Sequence, residues 1–284
     1  MKRAIKNIFS VSVLGILLFI TGCSNLPGLS GENDKEQIKT SNIISTGEVG
    51  AAYKVSQEEK DYLSKKFNDL SIENEHTVGY IYVPGGNMKE PIVQDKQDTT
   101  NAIYLDKAFD GSHAPLLGTV FMDYRNDKSF GDNLTWLFGH ARGSGVSDYR
   151  MFKDVLSYTK QDFFDAHPYI VVETPERKYY YEALMIHEVH ESTELYKTDS
   201  NLDAENIDEE LENYFSKLSQ SNTVFAKKEN LVFNPRDKHL ILSTCPDFIA
   251  DPETRYNLYL RQIPDSELNE FLEKNKDKLA FEAK

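Results

Sequence analysis

Cysteine is nearly absent from this chain, and so is any excess of positive charge. Two cysteines in 284 residues, Cys23 and Cys245, permit at most one disulfide. With 46 acidic against 32 basic side chains the formal net charge is −14. A protein that holds a phosphate backbone needs clustered Lys and Arg, so nucleic acid is excluded as a partner. There is no internal repeat, no low-complexity tract, and no metal-ligand spacing among the seven histidines. What is present is a 39% hydrophobic fraction with 16 Tyr and 16 Phe. That suffices for a sizeable core, excludes disorder along the whole length, and fits one or two domains.

The N-terminus carries Lys2, Arg3 and Lys6, then no charge until Glu32. Between them Phe9 to Ile20 is a twelve-residue apolar run, too short for an ordinary bilayer span and the right length for a signal-peptide core. It ends in Ile20-Thr21-Gly22-Cys23, which resembles the lipobox of bacterial lipoproteins. On that likeness residues 1–22 are a signal peptide and Cys23 is the lipidated mature N-terminus; the competing reading is an uncleaved signal anchor. Acyl chains would hold the protein on the membrane, since two or more anchor stably where one does not. Loss of three basic residues from the total of −14 leaves the mature chain at −17. Residues 23–55 have the composition of a flexible tether, and the folded domain is expected over 56–284.

Ser56 and Glu59 form a capping box, and Leu63, Phe67 and Leu70 put one apolar stripe on the helix that follows. From Thr77 the pattern becomes short β-rich runs broken by turn residues, over 77–83, 91–94, 118–124, 134–138, 169–173, 179–191, 239–244 and 255–263. The class is mainly β, a closed barrel or sandwich. One helix interrupts the strands, with Ile207, Leu211, Tyr214, Phe215 and Leu218 at helical spacing. A short terminal helix is expected around Leu268, Phe271 and Leu272. The acidic stretch 199–212 lacks loop-type Ca²⁺ ligand spacing and reads as a solvated helix face.

With Cys23 lipidated, Cys245 has no intramolecular partner. It is a buried small hydrophobe, an intermolecular disulfide partner, or a nucleophile. It stands where the run Leu240 to Thr244 ends, with Pro246 and Asp247 stopping the ladder, so the residue is presented at a strand mouth. A thiol there needs a base and a cation to act as a nucleophile. His140 stands out, after the run 134–138 and Gly139. His187 and His190 have opposite parity, so one is expected inside and one in solvent. Arg255 opens an alternating strand in which Arg255, Asn257, Tyr259 and Arg261 share one face. If that strand is the antiparallel neighbour of the Cys245 strand, Arg255 begins close to where Cys245 ends; its other reading is a solvated edge arginine.

Thr244-Cys245 with Arg255 ten residues on, and Phe138-Gly139-His140 upstream, resembles the sortase family of cysteine transpeptidases. Thr77 to Ile81, Pro84 to Asn87, Pro91 to Gln94, Tyr104-Leu105, Phe109 to Gly111 and Phe121 to Asn126 are similar to class B sortases in order and spacing. The likeness covers roughly residues 56–263. It implies an eight-stranded sortase-type β-barrel with an N-terminal helix and a helix in the excursion before the Cys strand. It implies that Cys245 attacks a sorting signal after Thr, that His140 moves the protons, and that Arg255 holds substrate and oxyanion. Substrate contacts map onto Asn101, Leu105, Ser243 and Tyr196.

The implied partners are surface proteins with a C-terminal sorting signal and a peptidoglycan amine acceptor, at the extracellular face of a Gram-positive-type cell membrane. No cofactor and no metal are implied. Two features depart from the class: the lipoprotein-type N-terminus in place of an uncleaved anchor, and Pro246-Asp247-Phe248 after the cysteine. The competing functions are a pilin polymerase using a pilin lysine and a non-catalytic ligand-binding surface lipoprotein. An L,D-transpeptidase is disfavoured, because no His-Gly precedes the cysteine.

Overall fold

The computed structural model describes residues 52–115, 117–141, 151–197, 207–246 and 251–279. Cys23 and the expected signal peptide lie outside them. Helix α1 (Gln57–Glu73) starts as its capping residues dictate: the Ser56 side chain accepts from the Glu59 N–H at 3.1 Å. Leu63 and Phe67 are its buried stripe.

Nine strands follow: β1 (Thr77–Tyr82), β2 (Lys89–Val93), β3 (Val120–Met122), β4 (Leu134–Phe138), β5 (Tyr169–Glu173), β6 (Lys178–His190), β7 (Val224–Lys227), β8 (His239–Thr244) and β9 (Thr254–Gln262). Their order in the sheet is β5-β1-β2-β3-β4-β8-β9-β6-β7, and a further β5–β6 pairing closes it. Eight strands therefore form a barrel, as expected, and β7 is an annex on the far half of β6. Closure removes free strand edges.

The barrel interior is filled by alternate residues, among them Ile81, Ile92, Val120, Leu137, Val172, Leu240, Leu242, Leu258 and Leu260. The other parity of β4, β8 and β9 faces outward, where Leu134, Trp136, Ile241 and Tyr259 are covered by Leu211, Tyr214, Phe215 and Leu218 of helix α4 (Ile207–Ser219). Each such fully buried side chain contributes roughly 1.5–3 kcal/mol. The final helix α5 (Asp265–Asn275) packs Leu268 and Leu272 beside Tyr82 and Tyr180. Glu173 anchors α1 to the barrel: its carboxylate takes Lys66 at 2.7 Å and Lys178 at 3.2 Å. Burial alone would raise its pKa, but the two ammonium groups hold it below the ordinary value.

The strand expected over 118–124 shrinks to Val120–Met122. Gly118 has a positive φ of 61° and so cannot join the ladder, and Asp123 turns the chain, its side chain accepting from the Arg125 N–H at 2.9 Å. Three short elements had no sequence signature: α2 (Lys153–Ser157), α3 (Gln161–Ala166) and β7. The two helices lack a side-chain cap.

Candidate active site

Parity decides the site. Trp136 and Phe138 of β4, Ile241 and Ser243 of β8, and Asn257 and Tyr259 of β9 share the outer face. His140, Cys245 and Arg255 continue those series. Register decides the rest. In the parallel β4–β8 pair Phe138 lies opposite Ser243, so two residues further His140 falls opposite Cys245. In the antiparallel β8–β9 pair Thr244 lies opposite Tyr256, which puts Cys245 opposite Arg255. The backbone positions of the three residues thus fall in one row at the same end of three adjacent strands.

Backbone contacts keep the row in step beyond the ladder. The Thr244 hydroxyl donates to the Gly139 carbonyl at 2.7 Å, and the Phe152 N–H donates to the His140 carbonyl at 3.0 Å. Gly139 sits in close approach: a Cβ there would meet the Phe152 ring at 3.2 Å and Val120 at 3.3 Å, so those side chains would have to shift by a few tenths of an ångström. His140 Nε2 lies 3.0 Å from the Leu105 carbonyl oxygen. A carbonyl only accepts, so Nε2 carries a hydrogen.

Cys245 is half-buried. Burial pushes its thiol pKa up; Arg255 opposes this and the Glu191 carboxylate adds to it. The thiol therefore rests protonated and needs a base to become a nucleophile. The guanidinium of Arg255 is pinned: one nitrogen donates to the Pro252 carbonyl at 2.5 Å and the Thr254 carbonyl at 2.9 Å, and another pairs with Glu191. It is no solvated edge residue.

The expected substrate contacts divide. Tyr196 lies on the same face: its backbone carbonyl accepts from the Asn257 side-chain N–H at 2.9 Å, and burial pushes its phenol pKa up. Leu105 joins through its carbonyl. Asn101 has φ 55° and its side-chain oxygen accepts from the Tyr124 N–H at 3.0 Å, so that oxygen is already used. Ser243 lies one row below Cys245 with its hydroxyl buried and, among the described residues, without a hydrogen bond.

Other residues escaped the sequence reading. Asp98 shapes the segment carrying Asn101 and Leu105, accepting from the Ala102 and Ile103 N–H groups at 2.8 and 2.7 Å; an Asp ahead of a turn was the available signal. Asp123, fully buried, holds Arg125 at 3.2 Å and Lys197. Because Lys197 also lies 5.2 Å above the Phe138 ring, and the Tyr196 carbonyl accepts from Asn257 at 2.9 Å, residues 191–197 cross the outer face as a wall of the site. Of the two histidines of β6, His187 is fully buried and His190 exposed. Among the described residues no cluster of three or more His, Cys, Asp or Glu is placed to hold a metal.

No protein-family model matches the chain. Curated relatives do. Sortase B of Listeria monocytogenes is 26% identical over 244 residues, 86% of this chain and 91% of its own. Sortase B of Staphylococcus aureus is 26% identical over 196 residues, 69% of this chain and 74% of its own. Among solved structures, a Staphylococcus aureus sortase B–substrate complex matches with a TM-score of 0.59 at 24% identity, covering 70% of this chain and 85% of that one. A sortase B complexed with triglycine gives the same TM-score and identity over 71% of this chain and 86% of that one. A mutant form of Clostridium perfringens sortase B reaches 0.61 at 20% identity, covering 82% and 98%. The eight-stranded barrel and these likenesses agree: the chain is similar to sortase B proteins in sequence and shares the fold of the sortase B structures.

Proposed function

We propose that the protein is a cysteine transpeptidase that cleaves a C-terminal sorting signal after Thr and transfers the acyl group to a cell-wall amine. The observation that carries this reading is the register of three neighbouring strands, Phe138 opposite Ser243 and Thr244 opposite Tyr256, which brings the chain positions of His140, Cys245 and Arg255 to one end of the sheet. In the proposed cycle His140 takes the thiol proton and Sγ attacks the carbonyl carbon of the Thr, at the bond to the residue that follows it. Arg255 stabilises the oxyanion. The C–N bond then breaks, the leaving amine takes the proton from His140, and a thioester remains on Cys245. An incoming amine attacks the thioester, gives a proton to His140, and releases the thiolate, which is reprotonated. Sorting-signal substrates and a glycine-type amine are the first candidates, because the structural neighbours include a sortase B–substrate complex and a sortase B complexed with triglycine.

The test is to incubate the protein with a panel of sorting-signal peptides, with and without triglycine, and to follow mass. An adduct on Cys245 that triglycine discharges supports the reading. No adduct with any peptide, with Cys245→Ala indistinguishable from the parent, sinks it. Supplying a pilin-type lysine in competition decides the acceptor.

We place the enzyme on the outer face of the cell membrane, held by lipid on Cys23, on the strength of the lipobox-like sequence Ile20-Thr21-Gly22-Cys23. Cys23→Ser is expected to move it from the membrane fraction to the medium. Retention on the membrane would favour an uncleaved anchor.

A further inference from the structure

The wall segment after β6 touches the candidate row at one charged point. Glu191 pairs with Arg255, with side-chain exposures of 35% and 17%. Glu191 is itself held in place: its backbone N–H donates to the Glu253 carbonyl at 2.9 Å, and the preceding His190 pairs with the Glu253 carboxylate at 3.0 Å. The same turn supplies the Pro252 and Thr254 carbonyls that bind the other guanidinium nitrogen. Asp251 orders that turn by accepting from the Thr254 hydroxyl at 2.6 Å and the Thr254 N–H at 3.2 Å. The guanidinium is therefore gripped from two sides by two loops that are themselves joined.

We infer that Glu191 is a positioning residue for Arg255, fixing the guanidinium beside the Cys245 thiol, where it meets the oxyanion, at the expense of part of its positive charge. The inference rests on the transpeptidase reading for the word oxyanion, but not for the coupling among Glu191, Arg255 and Cys245.

Two effects of the carboxylate oppose each other. Its negative charge weakens the pull of Arg255 on the thiol proton, and so disfavours the thiolate. Its hydrogen bond to a flexible side chain removes rotamers that would carry the guanidinium away. Replacing it separates the two. A charge-assisted hydrogen bond of this kind is worth about one to two powers of ten in a rate that depends on it. The thiolate fraction gained by removing one partly exposed charge is smaller, since solvent screens it. Positioning wins.

The experiment uses the full chain and two readouts. In the first, the rate of Cys245 alkylation by iodoacetamide is followed against pH. In Glu191→Gln the profile moves to lower pH relative to the parent. In the second, acyl-enzyme formation from a sorting-signal peptide falls about tenfold or more in Glu191→Gln despite the readier thiolate, and Glu191→Asp recovers part of it. Melting temperatures of both variants are measured to exclude unfolding.

An unchanged or faster acylation in Glu191→Gln overturns the positioning role. An alkylation profile superposable on the parent overturns the coupling. If the parent forms no acyl-enzyme, the transpeptidase reading has failed, and with it the positioning role; the alkylation profile then still decides the coupling among Glu191, Arg255 and Cys245.

Discussion

His140 donates a ring hydrogen from Nε2 to the carbonyl oxygen of Leu105, 35 residues earlier in the chain, at 3.0 Å. That carbonyl is placed by Gly118, whose φ is 61° and where an added Cβ would lie 2.6 Å from the Leu105 oxygen. Gly118→Ala must therefore displace the partner of the histidine. The expected outcome is a stability loss of about 1–3 kcal/mol together with slower acylation of Cys245, read by urea unfolding and by intact mass. Acylation at the parental rate would show that the Leu105 carbonyl does not hold the ring.

Thr244 sits between Ser243 and Cys245 but faces inward, and its hydroxyl ties β8 to the Gly139 carbonyl. Thr244→Val keeps the shape and leaves that buried carbonyl without its donor. A cost of about 1–3 kcal/mol follows, and the rate of acyl-enzyme formation falls because the His140 end of β4 is no longer tied to the Cys245 end of β8. The two measurements are chemical denaturation and single-turnover acylation. A loss in stability alone would separate the strand tie from the chemistry.

Burial drives the pKa of His187 and of His239 down to about 4, against an ordinary 6.5. Both rings are neutral in the folded state, and protons bind the unfolded chain first. Stability is complete above pH 6.5 and is lost as pH falls from there toward 4, by on the order of 2–3 kcal/mol per ring. Urea midpoints across that range check the slope. His239→Leu, at a site packed against Phe215 and Phe233, should flatten it.

Glu173 pairs with half-buried Lys66 and fully buried Lys178, and Glu173→Gln removes the carboxylate from both pairs. The cost is about 3–5 kcal/mol, seen as a lowered unfolding midpoint and as early exposure of α1 in hydrogen exchange. Replacing Lys66 with Met in the same background should restore part of it, by removing one of the stranded charges.

Much of this architecture can be read in the order of the residues, and the reason it stops is physical. The cap at Ser56, the apolar stripe of α4 and the alternation that puts Arg255, Asn257 and Tyr259 on one face are local patterns with a fixed period, and they fold as they read. The register that sets His140 against Cys245 depends on pairing between strands about a hundred residues apart, which no local period encodes. What located the row beforehand was the likeness of its motifs to those of class B sortases. Glu191 reads as the last residue of a strand, because nothing in its neighbourhood announces the arginine it meets. Gly118 reads as the start of a strand, since no local pattern shows its positive φ or how closely the Tyr104 and Leu105 carbonyls pass it. Helix α2, with five residues and no side-chain cap, carries too few signals to be seen at all.

The parallel pairing of β4 with β8 has a kinetic consequence. The tie between Gly139 and Thr244 spans 105 residues of chain, so it closes one of the longest loops in the fold and pays that loop's entropy before any local gain returns it. The His140 end of β4 and the Cys245 end of β8 come side by side only when this closure is made. A partly folded molecule can hold α1, the β1–β2 hairpin and the β8–β9 hairpin and still have a thiol with no base. Recovery of acylation during refolding is then a report on ring closure of the barrel, and it should lag behind the return of secondary structure.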